Sequence, residues 1–172
     1  MTSIPSGARI TGTLYRTKDG KGAVRMEDLY DTDINDLWSA LTDPHRLARW
    51  VAEVEGELHL GGRIHARFTS AWEGPGRIDV CQAPHRLTVI MSPGTSDETV
   101  IEAMLAPEHD KTRLVIEERG IPLDELAYHG AGWQAHVEDL TAHIHSRQAG
   151  DWKARWTALT PAYEDLVVGP AR

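Results

Sequence analysis

Gly130-Ala131-Gly132-Trp133-Gln134-Ala135-His136-Val137-Glu138-Asp139-Leu140-Thr141-Ala142-His143-Ile144-His145-Ser146-Arg147 is the stretch on which the architecture turns. Trp133, Val137, Leu140 and Ile144 recur at i, i+4, i+7 and i+11, within about 60° of one another at 100° per residue, so this segment predicts a long helix with one face to bury. The runs Glu53 to Leu60, Gly62 to Ser70, Gly76 to Cys81, Arg86 to Met91, Thr99 to Leu105 and Arg113 to Arg119 supply the opposing surface. They are β-type runs divided by Gly-Gly, Gly-Pro-Gly, Ala-Pro-His, Ser-Pro-Gly and Ala-Pro-Glu-His-Asp signals. Runs this close together leave no room for helical crossovers, so the sheet is antiparallel.

Ahead of these, Ile10 to Lys18 and Ala23 to Tyr30 flank Asp19-Gly20-Lys21-Gly22, a hairpin signal. Asp33 can cap a short helix with Ile34, Leu37, Trp38 and Leu41 in one stripe, and Asp43-Pro44 opens a second that carries Leu47, Trp50 and Val51. A tail helix is expected over Asp151 to Leu166, with Trp152, Trp156, Leu159 and Tyr163. The fold class is α+β: hairpin, two small helices, a meander, and one long helix against the curled sheet. Residues 10–166 form one domain, with a loose terminus at 1–9 and a tail at 167–172.

The chain has 172 residues and a net charge of −8, from 18 Lys+Arg and 26 Asp+Glu. A chain of this size buries roughly 70% of its unfolded surface, enough for a core without staples. An acidic balance with no basic cluster argues against nucleic acid, whose phosphates are bound through Lys and Arg. No apolar run approaches a membrane span, so no membrane insertion is expected and a cytoplasmic location is. One cysteine, Cys81, excludes an internal disulfide and predicts a small buried hydrophobe on a strand. Six tryptophans against a single phenylalanine either pack as bulk or line a cavity.

The string Leu37-Trp38-Ser39-Ala40-Leu41-Thr42-Asp43-Pro44-His45-Arg46-Leu47-Ala48-Arg49-Trp50, then Gly61-Gly62, Thr112-Arg113-Leu114 and Gly132-Trp133 leading to Leu140, resembles the heat-shock protein 90 ATPase activator homologue (AHSA-type) family of the START-like, or SRPBCC, superfamily. The resemblance runs from about Gly12 to Tyr163. It implies the helix-grip (Bet v-like) fold, a curved antiparallel sheet around the C-terminal helix, with a cavity between them that accepts apolar molecules in many members. Asp28 and Glu118 stand where bacterial relatives commonly carry a basic residue and a histidine. The separate N-terminal module of the eukaryotic co-chaperones is absent from this sequence.

Alternation on the strand 114–118 puts Leu114, Ile116 and Glu118 on one face, so Glu118 is expected in or beside the cavity, its pKa raised by desolvation. His129, His136 and His143 repeat every seven residues, about 10 Å apart along the axis, too far for one metal ion. His143 and His145 point apart as well, so no metal and no cofactor is expected. His136 neighbours Trp133, Val137 and Leu140 and would make with Glu118 a minimal acid–base pair for cyclase or dehydratase chemistry. No other catalytic signature is present, and Gly130-Ala131-Gly132 reads as a flexible entry to the helix. The candidate ligand-binding residues are Trp50, Trp72, Met91, Ile116, Glu118, Trp133, His136, Val137 and Leu140.

Trp38 is assigned to packing, Trp50 and Trp133 to the cavity, Trp72 to its mouth, and Trp152 with Trp156 to sealing the tail or to a partner surface. Three functions follow in order. The first is binding of a small apolar or amphipathic molecule without catalysis. The second is a cyclase- or dehydratase-like enzyme, and the third a chaperone-interacting module. A second copy of the chain is a further candidate partner.

Overall fold

The computed structural model describes residues 9–166 and 168–171. Most of the expected loose terminus, residues 1–8, lies outside the described residues, as do 167 and 172 of the tail. The chain runs β1 (Thr13–Arg16), β2 (Gly22–Tyr30), α1 (Ile34–Thr42), α2 (Pro44–Trp50), β3 (Ala52–Gly56), β4 (Arg63–Phe68), β5 (Glu73–Gln82), β6 (Arg86–Met91), β7 (Thr99–Glu108), β8 (Lys111–Ile121), α3 (Leu126–Ile144) and α4 (Trp152–Glu164). One eight-stranded sheet in the order β1-β2-β8-β7-β6-β5-β4-β3 has every neighbouring pair antiparallel. Register shifts at Gly22/Ala23 and Ile78/Val80 bend the strands, as bulges do, and help the sheet curl.

Local chemistry explains the boundaries. Asp33, Asp43 and Asp151 each turn a side-chain oxygen onto an N-terminal backbone N–H, from Asp36 at 2.9 Å, His45 at 2.8 Å and Ala154 at 3.0 Å. Pro44 occupies the first turn of α2, where its missing N–H has no helical partner to lose. Near the other end, residues 168–171 return to the sheet: Gly169 N–H donates to the Leu14 carbonyl at 2.9 Å and its carbonyl accepts from Arg16 N–H at 3.1 Å.

The long helix starts four residues before the expected Gly130. Gly130 and Gly132 therefore lie inside α3 and not in a flexible entry. The absent side chain of Gly130 admits the tail, since a Cβ there would stand 2.6 Å from the Tyr163 ring, whereas one on Gly132 would make an ordinary contact with Trp152 at 3.5 Å. Tyr163 is buried, donates its hydroxyl to Gln134 Oε1 at 2.7 Å and accepts from Gly12 N–H at 3.0 Å. One phenol so ties α4 to α3 and to the residue before β1. Burial pushes that phenol up to about 12, so it stays a neutral donor.

The core lies between the concave face and the helices, with Val24, Leu37, Leu114, Leu126 and Leu140 fully buried. The convex face carries ion pairs, among them Glu102 with Arg86 at 2.7 Å and Arg119 with Glu117 at 3.1 Å. Gly130→Ala is expected to lower stability by about 1–3 kcal/mol, the usual cost of forcing extra volume into a packed core. A urea midpoint checks this, and an unchanged midpoint would show that Tyr163 yields freely.

Candidate functional site

Small and branched side chains on the concave face leave a cavity of about 390 Å³ between the sheet and the helices. The strands contribute Ala52 and Val54 of β3, Ile64, Ala66 and Phe68 of β4, Leu87, Val89 and Met91 of β6, Ile101 and Ala103 of β7, and Ile116 of β8. Helices α1 and α2 contribute Trp38, Leu41, Leu47 and Trp50, and α3 contributes Trp133. Among the described residues, Thr42 and Cys81 are the only hydroxyl and thiol that line it, and no carboxylate, imidazole, ammonium or guanidinium does.

Of the residues expected to touch a ligand, Trp50, Met91, Ile116 and Trp133 line this space. Glu118, His136, Val137, Leu140 and Trp72 do not. Trp72 is 46% exposed in the β4–β5 turn, with its ring packed 5.7 Å from Phe68 and not across the cavity. Trp38 is half-buried and lines the wall, where packing alone was expected. Cys81 is exposed, contrary to the buried reading, because its inward-facing position lies near the end of β5.

Glu118 points inward, as alternation requires, and is 6% exposed. Its Oε1 accepts from His129 Nδ1 at 2.6 Å and Trp133 Nε1 at 3.1 Å, and its Oε2 from Thr99 Oγ1 at 3.1 Å. Burial alone would push this carboxyl up. The hydrogen bond and charge of His129, with the bonds from Trp133 and Thr99, outweigh burial and hold it below the usual carboxylate range. The expected upward shift is thereby corrected: an acid with three donors is held ionised.

His129 is the partner that the sequence reading missed. It lies one helical turn before Trp133, so both face Glu118, and the i, i+4 spacing was the available signal. Burial pushes its imidazole down, but the bond to Glu118 and the charges of Glu118 and Glu125 more than offset this and raise it.

His136 is buried and occupied elsewhere. Its ring lies 5.1 Å from Trp152, 5.6 Å from Trp133 and 6.1 Å from Phe68. Burial, with the Arg155 charge acting in the same direction, pushes it down to about 4. Glu118 and His136 therefore form no hydrogen-bonded pair, and neither reaches the cavity wall. Trp152 is buried, and Trp156 stacks on it at 6.1 Å and donates to the Tyr128 carbonyl at 3.0 Å. Among the described residues no cluster of His, Cys, Asp and Glu is arranged for a metal ion, and no helix is long and apolar enough to cross a membrane.

A curved antiparallel sheet gripping one long helix over an apolar cavity defines the START-like, SRPBCC class. The chain belongs to the family described as Activator of Hsp90 ATPase homolog 1-like protein, whose model matches residues 31–145. It is similar to CalU16 from Micromonospora echinospora, with 26% identity, 89% of this chain and 94% of that one covered, and a TM-score of 0.73. DynU16, a protein in the dynemicin biosynthetic locus, shares the fold at 23% identity and a TM-score of 0.67, over 74% of this chain and 48% of its own, so this chain spans about half its length. MLL2253 from Mesorhizobium loti shares it at 23% identity and 0.64, over 72% of this chain and 97% of its own. No curated protein matches the sequence.

His129→Gln is expected to cost about 2 kcal/mol, less than the usual loss for a fully buried pair because His129 keeps 34% of its side chain in water. The raised His129 contributes fully below its unfolded value of 6.5 and loses that contribution as pH rises through its folded value. The lowered Glu118 contributes above 4.5 and loses it as pH falls through its folded value. Urea titrations should therefore show the largest gap between native and variant protein between these two values, shrinking in alkali. A gap that grows with alkali would contradict this assignment.

Proposed function

We propose that the protein binds a small apolar or amphipathic molecule in the cavity between the sheet and α3. The observation that carries this reading is the wall itself. It is apolar almost throughout, includes the rings of Trp38, Trp50, Phe68 and Trp133, and encloses a volume within the range of about 300–1,000 Å³ typical of small-molecule sites.

The wall also bears on the character of the ligand. A charged group held within it would lose its hydration without meeting an opposite charge, at a cost of several kcal/mol. The buried part of the ligand is accordingly neutral, and any polar end projects toward solvent. Flat rings suit four aromatic side chains, which prefer offset-stacked or edge-on partners. DynU16 stands in a biosynthetic locus, a setting in keeping with a small-molecule ligand. The cyclase-like alternative draws no support from the geometry, since Glu118 and His136 serve other contacts.

The test uses the neutral dye N-phenyl-1-naphthylamine, whose fluorescence rises in apolar sites. Ala103→Phe places a ring into the cavity from the centre of the concave face and should weaken dye binding at least tenfold with the circular dichroism unchanged. Bound dye should also slow the reaction of Cys81, the single thiol and a lining residue, with a disulfide reagent. Dye affinity unaffected by Ala103→Phe would overturn the reading.

A further inference from the structure

Helices α1 and α2 form one side of the cavity, and the last of the heptad-spaced histidines, His143, attaches them to α3. Arg46 Nε donates to His143 Nε2 at 3.0 Å. An imidazole nitrogen can accept that bond only when it carries a lone pair, so His143 must be neutral with its proton on Nδ1. The same guanidinium donates from NH1 to the Asp36 carbonyl at 3.0 Å and to Asp36 Oδ1 at 2.9 Å. Thr32 Oγ1 secures the other Asp36 oxygen at 2.6 Å. One arginine so joins α1, α2 and α3. Trp50, the last residue of α2, lines the cavity. Trp50 Nε1 in turn donates to the Ala40 carbonyl of α1 at 2.9 Å.

We propose that Arg46 and His143 form a latch that holds the α1–α2 side of the cavity against α3 while the His143 imidazole is neutral, and that acid opens it and releases the bound molecule. This proposal rests on the binding reading above and adds regulation to it.

Protonation of His143 would place an N–H on Nε2 facing the Arg46 N–H, two donors and two positive charges across one hydrogen bond. Arg49 of α2 adds to the repulsion, and Asp36 of α1, already engaged by Arg46, is the facing anion. Burial, then Arg46 and Arg49, push His143 below its ordinary range, which keeps the latch closed at neutral pH. His136 faces Glu118 of β8, which favours its protonation, and Arg155 of α4, which opposes it. Its value of about 4 keeps it largely neutral down to pH 5.

Three other titratable groups of α3 and its surroundings lie outside this contact. A fall in pH from 7 to 5 favours the charged form of His129, which is raised, and leaves the lowered Glu118 ionised. Asp139, raised by burial, pairs with Arg155 and joins α3 to α4.

Hydrogen exchange of the full chain, corrected for intrinsic rates, reads the latch without any ligand. Between pH 7.5 and 5, amides of 34–50 should lose protection at least tenfold while those of β7 and β8 keep theirs. His143→Gln, whose amide oxygen can accept from Arg46 but takes up no proton, should abolish that response. Arg46→Met should give the acid pattern already at pH 7.5. In parallel, N-phenyl-1-naphthylamine should bind the native protein at least tenfold more weakly at pH 5 than at pH 7.5. Equal protection of 34–50 at both pH values overturns the latch, and so does a response of His143→Gln equal to that of the native chain. A native protein that fails to bind dye at pH 7.5 overturns the binding reading instead, and the exchange data still decide the latch.

Discussion

The arrangement of the interior depends on one buried carboxylate. Glu118 lies inside the sheet, where an ionised acid survives only if its oxygens are saturated with donors. Three side chains meet that demand: Thr99 from the neighbouring strand, and His129 and Trp133 from the long helix. The last two set α3 against β8 in both register and rotation, because a one-residue slip would carry both donors away from the acid. With the indole N–H pinned, the Trp133 ring faces the cavity. An electrostatic requirement at the end of a strand so decides the shape of an apolar wall.

The remaining histidines of α3 follow a different logic. His129 faces a carboxylate and is raised, whereas His136, packed among aromatic rings, and His143, facing an arginine, are lowered. The spacing of seven keeps all three near one side of the helix, yet the sheet meets the first, aromatic rings surround the second and α2 meets the third. Their neighbours, and not their period, assign their charge states. The convex face of the sheet carries its own ion pairs, so the concave face can be almost free of charge without the sheet as a whole becoming apolar.

Much of this was legible in the residues. The Asp33 and Asp43 caps, the Asp-Gly turn, the 3.6 periodicity of α3 and the period-2 strands each agree with the structure, because they are local signals that tertiary packing reinforces. The alternation on β8 correctly turned Glu118 inward. Its partner was not legible, since choosing His129 over His136 requires knowing the height at which the helix crosses the strand. Trp72 and Trp38 exchanged the roles read for them for a similar reason. A turn residue points wherever the hairpin leans, and a helix stripe reads as core whether it meets side chains or a void. Gly130 and Gly132 resembled a helix entry because glycine is a poor helix former. The approach of Tyr163 explains a glycine at position 130 inside a helix.

The void itself is written in small residues. Ala52, Ala66 and Ala103 occupy concave-face positions on three different strands, and each lines the cavity. Strands favour branched and aromatic residues, and interiors close-pack to the density of organic crystals, so stability alone would place valine or isoleucine there. Larger side chains at these sites could collapse the space without disturbing a hydrogen bond of the sheet. Each alanine instead leaves lining atoms without partners, a loss of dispersion energy that no contact inside the protein recovers. Rings from Trp38, Trp50 and Trp133 border the same space without filling it. Large rigid rings set around a concave face that mixes these alanines with branched side chains leave a space, and the stability it forgoes is what a fitted occupant would return on binding.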